Sequence, residues 1–204
     1  MAQTTHGVRA ILSHPLVYST LQTLMGAHSS RKSFVENYVR PFPGMKVLDI
    51  GCGPADILAY LPTVDYSGFD ISQDYIGQAC KRFGTIGQFH CRQLAAEDLK
   101  SLPSFDVVFA LGLIHHLEDD EAINVMQLAL RALKPGGRLL TIDPCLEPSQ
   151  NPIARMLIRG DRGQNVRDKA GYEALARGVF ESPRVEVRHQ AWIPYTHCFM
   201  ECPR

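Results

Sequence analysis

Residues 46–56, Lys46-Val47-Leu48-Asp49-Ile50-Gly51-Cys52-Gly53-Pro54-Ala55-Asp56, constrain this chain more than any other stretch. A short apolar run ends in an acid and then breaks into Gly-x-Gly. Val47, Leu48 and Ile50 suit a strand buried on both faces. Gly51 and Gly53 allow a tight turn with no side chain in the way. Ile57 to Leu61 read as the start of a helix. Strand, glycine turn and helix in succession is how an open α/β sheet holds a nucleoside-containing cofactor at the carboxyl ends of its strands.

Strand-like and helical runs alternate from there onward. The patterns predict strands near 46–51, 64–71, 87–93, 105–111 and 137–143, and helices near 55–61, 73–83 and 120–133. Such alternation implies crossover units, a mostly parallel sheet and helices on both faces. Lys134-Pro135-Gly136-Gly137 closes the long helix with a basic residue, a proline and a glycine turn. A short helix is expected around 153–159, and the runs Arg184–Ala191 and Thr196–Cys202 suit an antiparallel end to the sheet. Residues 8–39 carry helical spacing (Leu16, Leu21, Leu24, then Phe34, Val35, Tyr38), set off from the first strand by Pro41-Phe42-Pro43-Gly44. At 204 residues the expectation is one domain: a helical cap over 1–43, a cofactor-binding core over 44–145, and an acceptor-side insertion with the final strands over 146–204.

Charge and cysteine usage narrow the function. Lysine plus arginine equals aspartate plus glutamate at 21 each, so no overall field attracts nucleic acid or an anionic membrane. No apolar run approaches the roughly 18 residues needed to cross a bilayer. The first residues lack a basic stretch followed by an apolar one, as a signal peptide would have. Cysteines 52, 80, 91, 145, 198 and 202 are scattered and read as reduced thiols of a cytoplasmic protein, with no metal site expected.

The turn itself discriminates between cofactors. A dinucleotide fold wants Gly-x-Gly-x-x-Gly, its helix start receiving a pyrophosphate. The third position here is Asp56, whose charge would repel that group. Asp49 ends the strand where a cationic group is welcome. Val64-Asp65-Tyr66-Ser67-Gly68-Phe69-Asp70 is a second strand whose terminal acid, Asp70, suits ribose hydroxyls. The alternative is that both aspartates cap turns or helices.

These motifs, taken in order, resemble the class I S-adenosylmethionine-dependent methyltransferases of the small-molecule, Rossmann-like type. The resemblance covers about residues 42–143. Val47 to Ala55 is similar to the family's glycine-rich first motif, with Ala55 in place of its last glycine. Phe105-Asp106-Val107-Val108-Phe109-Ala110-Leu111-Gly112-Leu113-Ile114-His115-His116-Leu117 resembles the fourth-strand motif, and Leu133 to Leu140 the turn into the fifth. The resemblance implies an α/β fold: a doubly wound, mostly parallel seven-stranded sheet with helices on both faces and an antiparallel C-terminal strand. It implies S-adenosylmethionine as cofactor, S-adenosylhomocysteine as product, and Asp49, Gly51, Cys52, Gly53, Asp70, Ile71, Leu94 and Leu111 in the cofactor site. Counting back from Phe105 puts Gln93 where members carry an adenine-binding acid, with Glu97 or Asp98 as alternatives.

Methyl transfer needs alignment of nucleophile, methyl and sulfur, with proton removal where the acceptor requires it. His115 and His116, just beyond the fourth strand, titrate in the useful range, and Asp143 at the end of the fifth could orient one of them. Either histidine can instead shape the loop, and Asp143 can instead orient the acceptor or cap the following turn. Arg162 and Arg167 could grip an anionic acceptor, or pair internally in a solvated loop. Arg31 and Tyr18 of the cap could meet the cofactor's carboxylate and close over it. The expected function is methyl transfer to a small organic acceptor, with neither nucleic acid nor membrane as partner. The alternative is a non-catalytic module that binds the cofactor or its product.

Overall fold

The computed structural model describes residues 27–160, 163–190 and 195–204. Seven strands, β1 Met45–Ile50, β2 Val64–Asp70, β3 Gly87–Cys91, β4 Phe105–Leu111, β5 Leu133–Pro144, β6 Arg184–Gln190 and β7 Tyr195–Pro203, form one sheet. Their order is β3-β2-β1-β4-β5-β7-β6. β1 to β5 are parallel, and β7 runs antiparallel to both its neighbours. The chain thus winds outward from β1 in one direction and from β4 in the other, leaving the crevice of a topological switch point between their carboxyl ends.

Alternate residues of the strands face two separate cores. Leu48, Ile50, Val108 and Leu139 pack with Met126 and Leu128 of α3 (Asp119–Ala132) and with Tyr172 and Leu175 of α5 (Lys169–Arg177). Val47, Val107, Phe109 and Leu140 pack with Phe34 of α1 (Ala27–Phe34) and Ile76 and Ala79 of α2 (Gln73–Phe83). Burial on both faces is what the continuous apolar runs required. Among the described residues no helix is long and apolar enough to cross a membrane.

Several expected elements differ in detail. The helix expected at 55–61 is one 3₁₀ turn, Asp56–Tyr60. Ala55 adopts the left-handed conformation at its start (φ 55°, ψ 37°), and Leu61, preceding Pro62, is extended as that proline dictates. β3 ends at Cys91, not 93. β5 starts at Leu133, paired with Phe105; Val107 then pairs with Arg138, so the Pro-Gly-Gly turn bulges out of a strand already begun. α4 spans Pro152–Arg159. α5 adds to the expected elements; Asp168 caps it by accepting from Gly171 N at 2.8 Å. Of the helical spacing over 8–39, residues 27–34 are α-helix and Val35–Val39 a π turn ended by left-handed Arg40. Residues before 27 lie outside the described part.

Candidate cofactor and acceptor site

The parallel strands bring the turns after β1, β2, β4 and β5 to one edge. Gly51 (φ 75°) and Gly53 (φ 54°) take conformations that strain any other residue. A Cβ at Gly51 would stand 3.0 Å from Leu113 Cδ1, whereas at Gly53 nothing lies within 4 Å. The first glycine admits the β4 loop, and the second leaves an open cradle. Gly51 N and Cys52 N donate to Phe69 O at 2.8 and 3.0 Å. Gly53 N donates to Asp70 Oδ2 at 2.9 Å, and Ser72 N to Asp70 Oδ1 at 2.7 Å. Asp70 therefore ties the glycine turn to the start of α2. Ile71 beside it is exposed. Cys52 is buried, and burial together with Asp49 and Asp70 pushes its thiol pKa up.

Asp49 is buried at the end of β1. Tyr66 donates its hydroxyl to Asp49 Oδ2 at 2.6 Å, while Oδ1 has no protein partner among the described residues. Burial pushes the Asp49 carboxyl up to about 7, with Asp70 adding to the rise and the Tyr66 bond opposing it. Around the turn, Arg31 of α1 pairs with Asp56 Oδ2 at 3.2 Å, and Arg82 of α2 reaches Asp56 and, at 3.4 Å, Pro54 O. Tyr18 lies outside the described residues.

Asp70 pairs with Cys91, the last residue of β3, so Gln93 stands in the loop beyond and not at the strand end. It is exposed and lines a groove with Asn124, Gln127 and Arg131 of α3. Leu94 is buried in the core, and half-buried Leu111 pairs with Ile142. Glu97 and Asp98 belong to a separate turn, where Asp98 accepts from Ala95 N at 2.8 Å.

Beyond β4, Gly112 N donates to Ile142 O at 2.8 Å, bringing the loop to the end of β5. Asp143 is fully buried there. Its Oδ1 accepts from His115 N at 3.1 Å and faces His115 Nδ1 at 2.8 Å. A carboxylate there keeps the proton on Nδ1 and makes Nε2 the basic nitrogen. The His116 ring lies over that of His115, centroids 4.0 Å apart. The returning chain covers the pair: a Cβ at Gly163 would overlap the His115 ring, and Asn165 N donates to His115 O at 3.0 Å. Arg167 is committed to its own chain. It donates to Asp119 from Nε and Nη2 (3.0 and 2.6 Å) and to the carbonyls of Ile114, Asn165 and Leu117 (3.2, 2.9 and 2.9 Å). Arg162 lies outside the described residues.

Two contributors carry no signal of their own in the sequence. Tyr66 shares a sheet face with Asp49, since Val47 pairs with Tyr66 and Asp49 with Gly68; only the strand register reveals this. Asp119, the partner of Arg167, reads as an ordinary first-turn acid of α3.

A family model described as a methyltransferase domain matches residues 48–139. The chain is 30% identical over 174 residues to phosphoethanolamine N-methyltransferase 1 of Arabidopsis thaliana, covering 82% of this chain and 34% of that protein. It is 29% identical over 139 residues to a tRNA U34 carboxymethyltransferase of Pseudoalteromonas translucida, covering 64% of this chain and 41% of that one. It therefore spans well under two thirds of these relatives. The plantazolicin methyltransferase BpumL, solved with a desmethyl plantazolicin analogue and S-adenosylhomocysteine, superposes with a TM-score of 0.67 at 16% identity, covering 96% of this chain and 90% of that one. That likeness concerns the fold.

Proposed function

Because this chain belongs to the class I S-adenosylmethionine-dependent methyltransferases, we propose that it holds S-adenosylmethionine over the Gly51–Gly53 turn and directs its methyl group to a small organic acceptor beside His115. The observation that carries this reading is the joint between the open cradle at Gly53 and Asp70, whose carboxylate bridges Gly53 N and Ser72 N. A carboxylate has about four lone-pair sites, so two backbone bonds leave capacity for ribose hydroxyls. The orphaned Asp49 Oδ1 suits the cationic end of the same ligand, and Arg31 its carboxylate.

The cofactor supplies a methyl carbon already activated by a sulfonium. In this reading the protein's task is alignment and proton removal. His115 Nε2 takes a proton from the acceptor while Asp143 keeps Nδ1 protonated and stabilises the imidazolium that forms. Asp143 is thus a positioning residue. The charge of the acceptor is a separate matter. The relative named for phosphoethanolamine favours an anionic group, but with Arg167 bound to Asp119 the expected grip on it rests on Arg162. A tRNA-directed relative exists, yet equal numbers of acidic and basic residues favour a small molecule over a polyanion.

Calorimetric titration with S-adenosylmethionine and S-adenosylhomocysteine tests the first half; absence of binding to either overturns it. Asp70→Ala is expected to weaken both, and urea unfolding without ligand separates that loss from a loosened turn. Labelled cofactor incubated with metabolite extract, and in parallel with tRNA, reads the second half. Label in a small molecule supports the assignment, label in tRNA redirects it, and binding without any product makes the chain a non-catalytic module. Asp143→Asn is expected to lower kcat by about a hundredfold while leaving cofactor affinity unchanged.

A further inference from the structure

We propose that the groove between the loop after β3 and α3 binds a small planar heterocycle that carries an imide-like hydrogen-bonding edge and one carboxylate. The groove has a volume of about 360 Å³, with Gln93 to Ala96 on one side and Asn124, Gln127, Leu128 and Arg131 on the other. Asn124, Gln127 and Arg131 stand at i, i+3 and i+7, one stripe along α3. Leu94 and Leu128 are buried at its base. The four polar side chains, Gln93, Asn124, Gln127 and Arg131, are exposed. None of them makes a hydrogen bond or ion pair among the described residues.

Both walls are fixed by contacts of their own. Asp98 accepts from Ala95 N at 2.8 Å, its own N donates to Ala95 O at 3.1 Å, and Arg92 pairs with its carboxylate. Leu94 lies in the same core as Met126 and Leu128, so the loop is anchored against the helix. Little ordering cost therefore opposes a ligand here. The groove also stands apart from the Gly51–Gly53 cradle. α3 carries the chain from the carboxyl end of β4 to the amino end of β5, so the stripe from Asn124 to Arg131 runs away from the cofactor edge. The inference does not rest on methyl transfer.

The lining supplies the chemistry. A carboxamide presents a donor and an acceptor side by side, and three of them match a ligand edge that alternates carbonyl and N–H. Arg131 is the one cation of the lining, which contains no carboxylate. Its guanidinium fork meets a ligand carboxylate bidentately. The apolar base receives a flat ring. A plain hydrocarbon acid fits less well, because it would strip water from the three amides without replacing its hydrogen bonds.

Orotate, a pyrimidine imide with one carboxylate, is the probe. It is titrated into the full chain without cofactor and followed through the nitrogen-15 signals of the backbone and side-chain amides. Saturable shifts at residues 93–96 and 124–131 are expected. Uracil lacks the carboxylate and benzoate the imide edge, and each is expected to bind at least about tenfold more weakly. Arg131→Ala is expected to weaken orotate by at least about tenfold as well. The substitution removes an exposed side chain, and unchanged urea unfolding keeps stability out of the comparison. No saturable shift in the groove, an orotate affinity that survives Arg131→Ala, or benzoate binding as tightly as orotate overturns the proposal. Excess S-adenosylhomocysteine separates this site from the cofactor's: unchanged orotate affinity supports the assignment, and competition overturns it.

Discussion

Replacing Asp49 with asparagine removes one buried ionisable group from the end of β1 with almost no change of shape. The folded chain holds this carboxyl at about 7, chiefly because burial disfavours its charge. An unfolded chain holds an aspartate near 4, so the difference corresponds to about 4 kcal/mol as an upper figure. The sign follows from proton counting. Between about pH 4 and pH 7 the folded protein keeps a proton that the unfolded chain has lost. Stability therefore falls as pH rises through that window and levels off above about pH 8. The asparagine of the Asp49→Asn variant cannot titrate. Its amide oxygen still accepts from Tyr66, but its NH₂ faces the position where Oδ1 had no partner, at a pH-independent cost of about 1–3 kcal/mol.

Urea unfolding of both proteins at intervals from about pH 4 to pH 8 is the assay, read as the change in their difference with pH. Carboxylates and histidines common to both cancel. The native protein is expected to lose ground to Asp49→Asn by up to about 4 kcal/mol between pH 4 and pH 8, most of it below pH 7. Parallel stability curves would refute the placement of a protonated acid at the end of β1. If the cationic end of S-adenosylmethionine lies against Asp49, saturating cofactor favours the ionised acid and flattens the native curve.

Ala55 sits in the left-handed region, so Ala55→Gly relieves about 1 kcal/mol of strain while giving up a buried methyl and some unfolded-state restriction; unfolding is expected to place it within about 1 kcal/mol of the native protein, and a loss above about 2 would contradict the geometry. Arg167→Ala leaves the carbonyls of Ile114, Leu117 and Asn165 without a donor, and a stability loss of about 2–4 kcal/mol is expected by the same measurement; a stable variant with only a raised KM would return Arg167 to the acceptor site. Gly53→Ala adds a methyl into open space at φ 54°, so it should fold with about 1 kcal/mol of strain yet lose cofactor affinity by at least about tenfold in calorimetry, unlike Gly136→Ala at the far edge of the sheet.

What was legible in the sequence follows the range of the forces that write it. Apolar runs at 46–50 and 105–111 had to be buried on both faces whatever surrounded them, and Gly51 and Gly53 had to turn, so the sheet and its switch point could be read directly. The 3₁₀ turn after β1 could not, because Ala55 adopts a conformation its own propensity disfavours, held by Ala55 N to Cys52 O and the packing beneath. Arg167 stayed open for the opposite reason: its charge announced a partner, but whether that partner was a ligand or an acid of the chain such as Asp119 depended on contacts nearly fifty residues away. Asp70 shows that the two readings of a candidate site residue need not compete. Capping Ser72 and receiving Gly53 N is what aims the carboxylate at the cradle, so the structural bonds fix the direction of the remaining lone pairs. Asp70→Asn is then the sharper probe than Asp70→Ala: it keeps an acceptor for one backbone N–H but sets an NH₂ against the other, and a cofactor site that tolerated it would have no need of Asp70's charge.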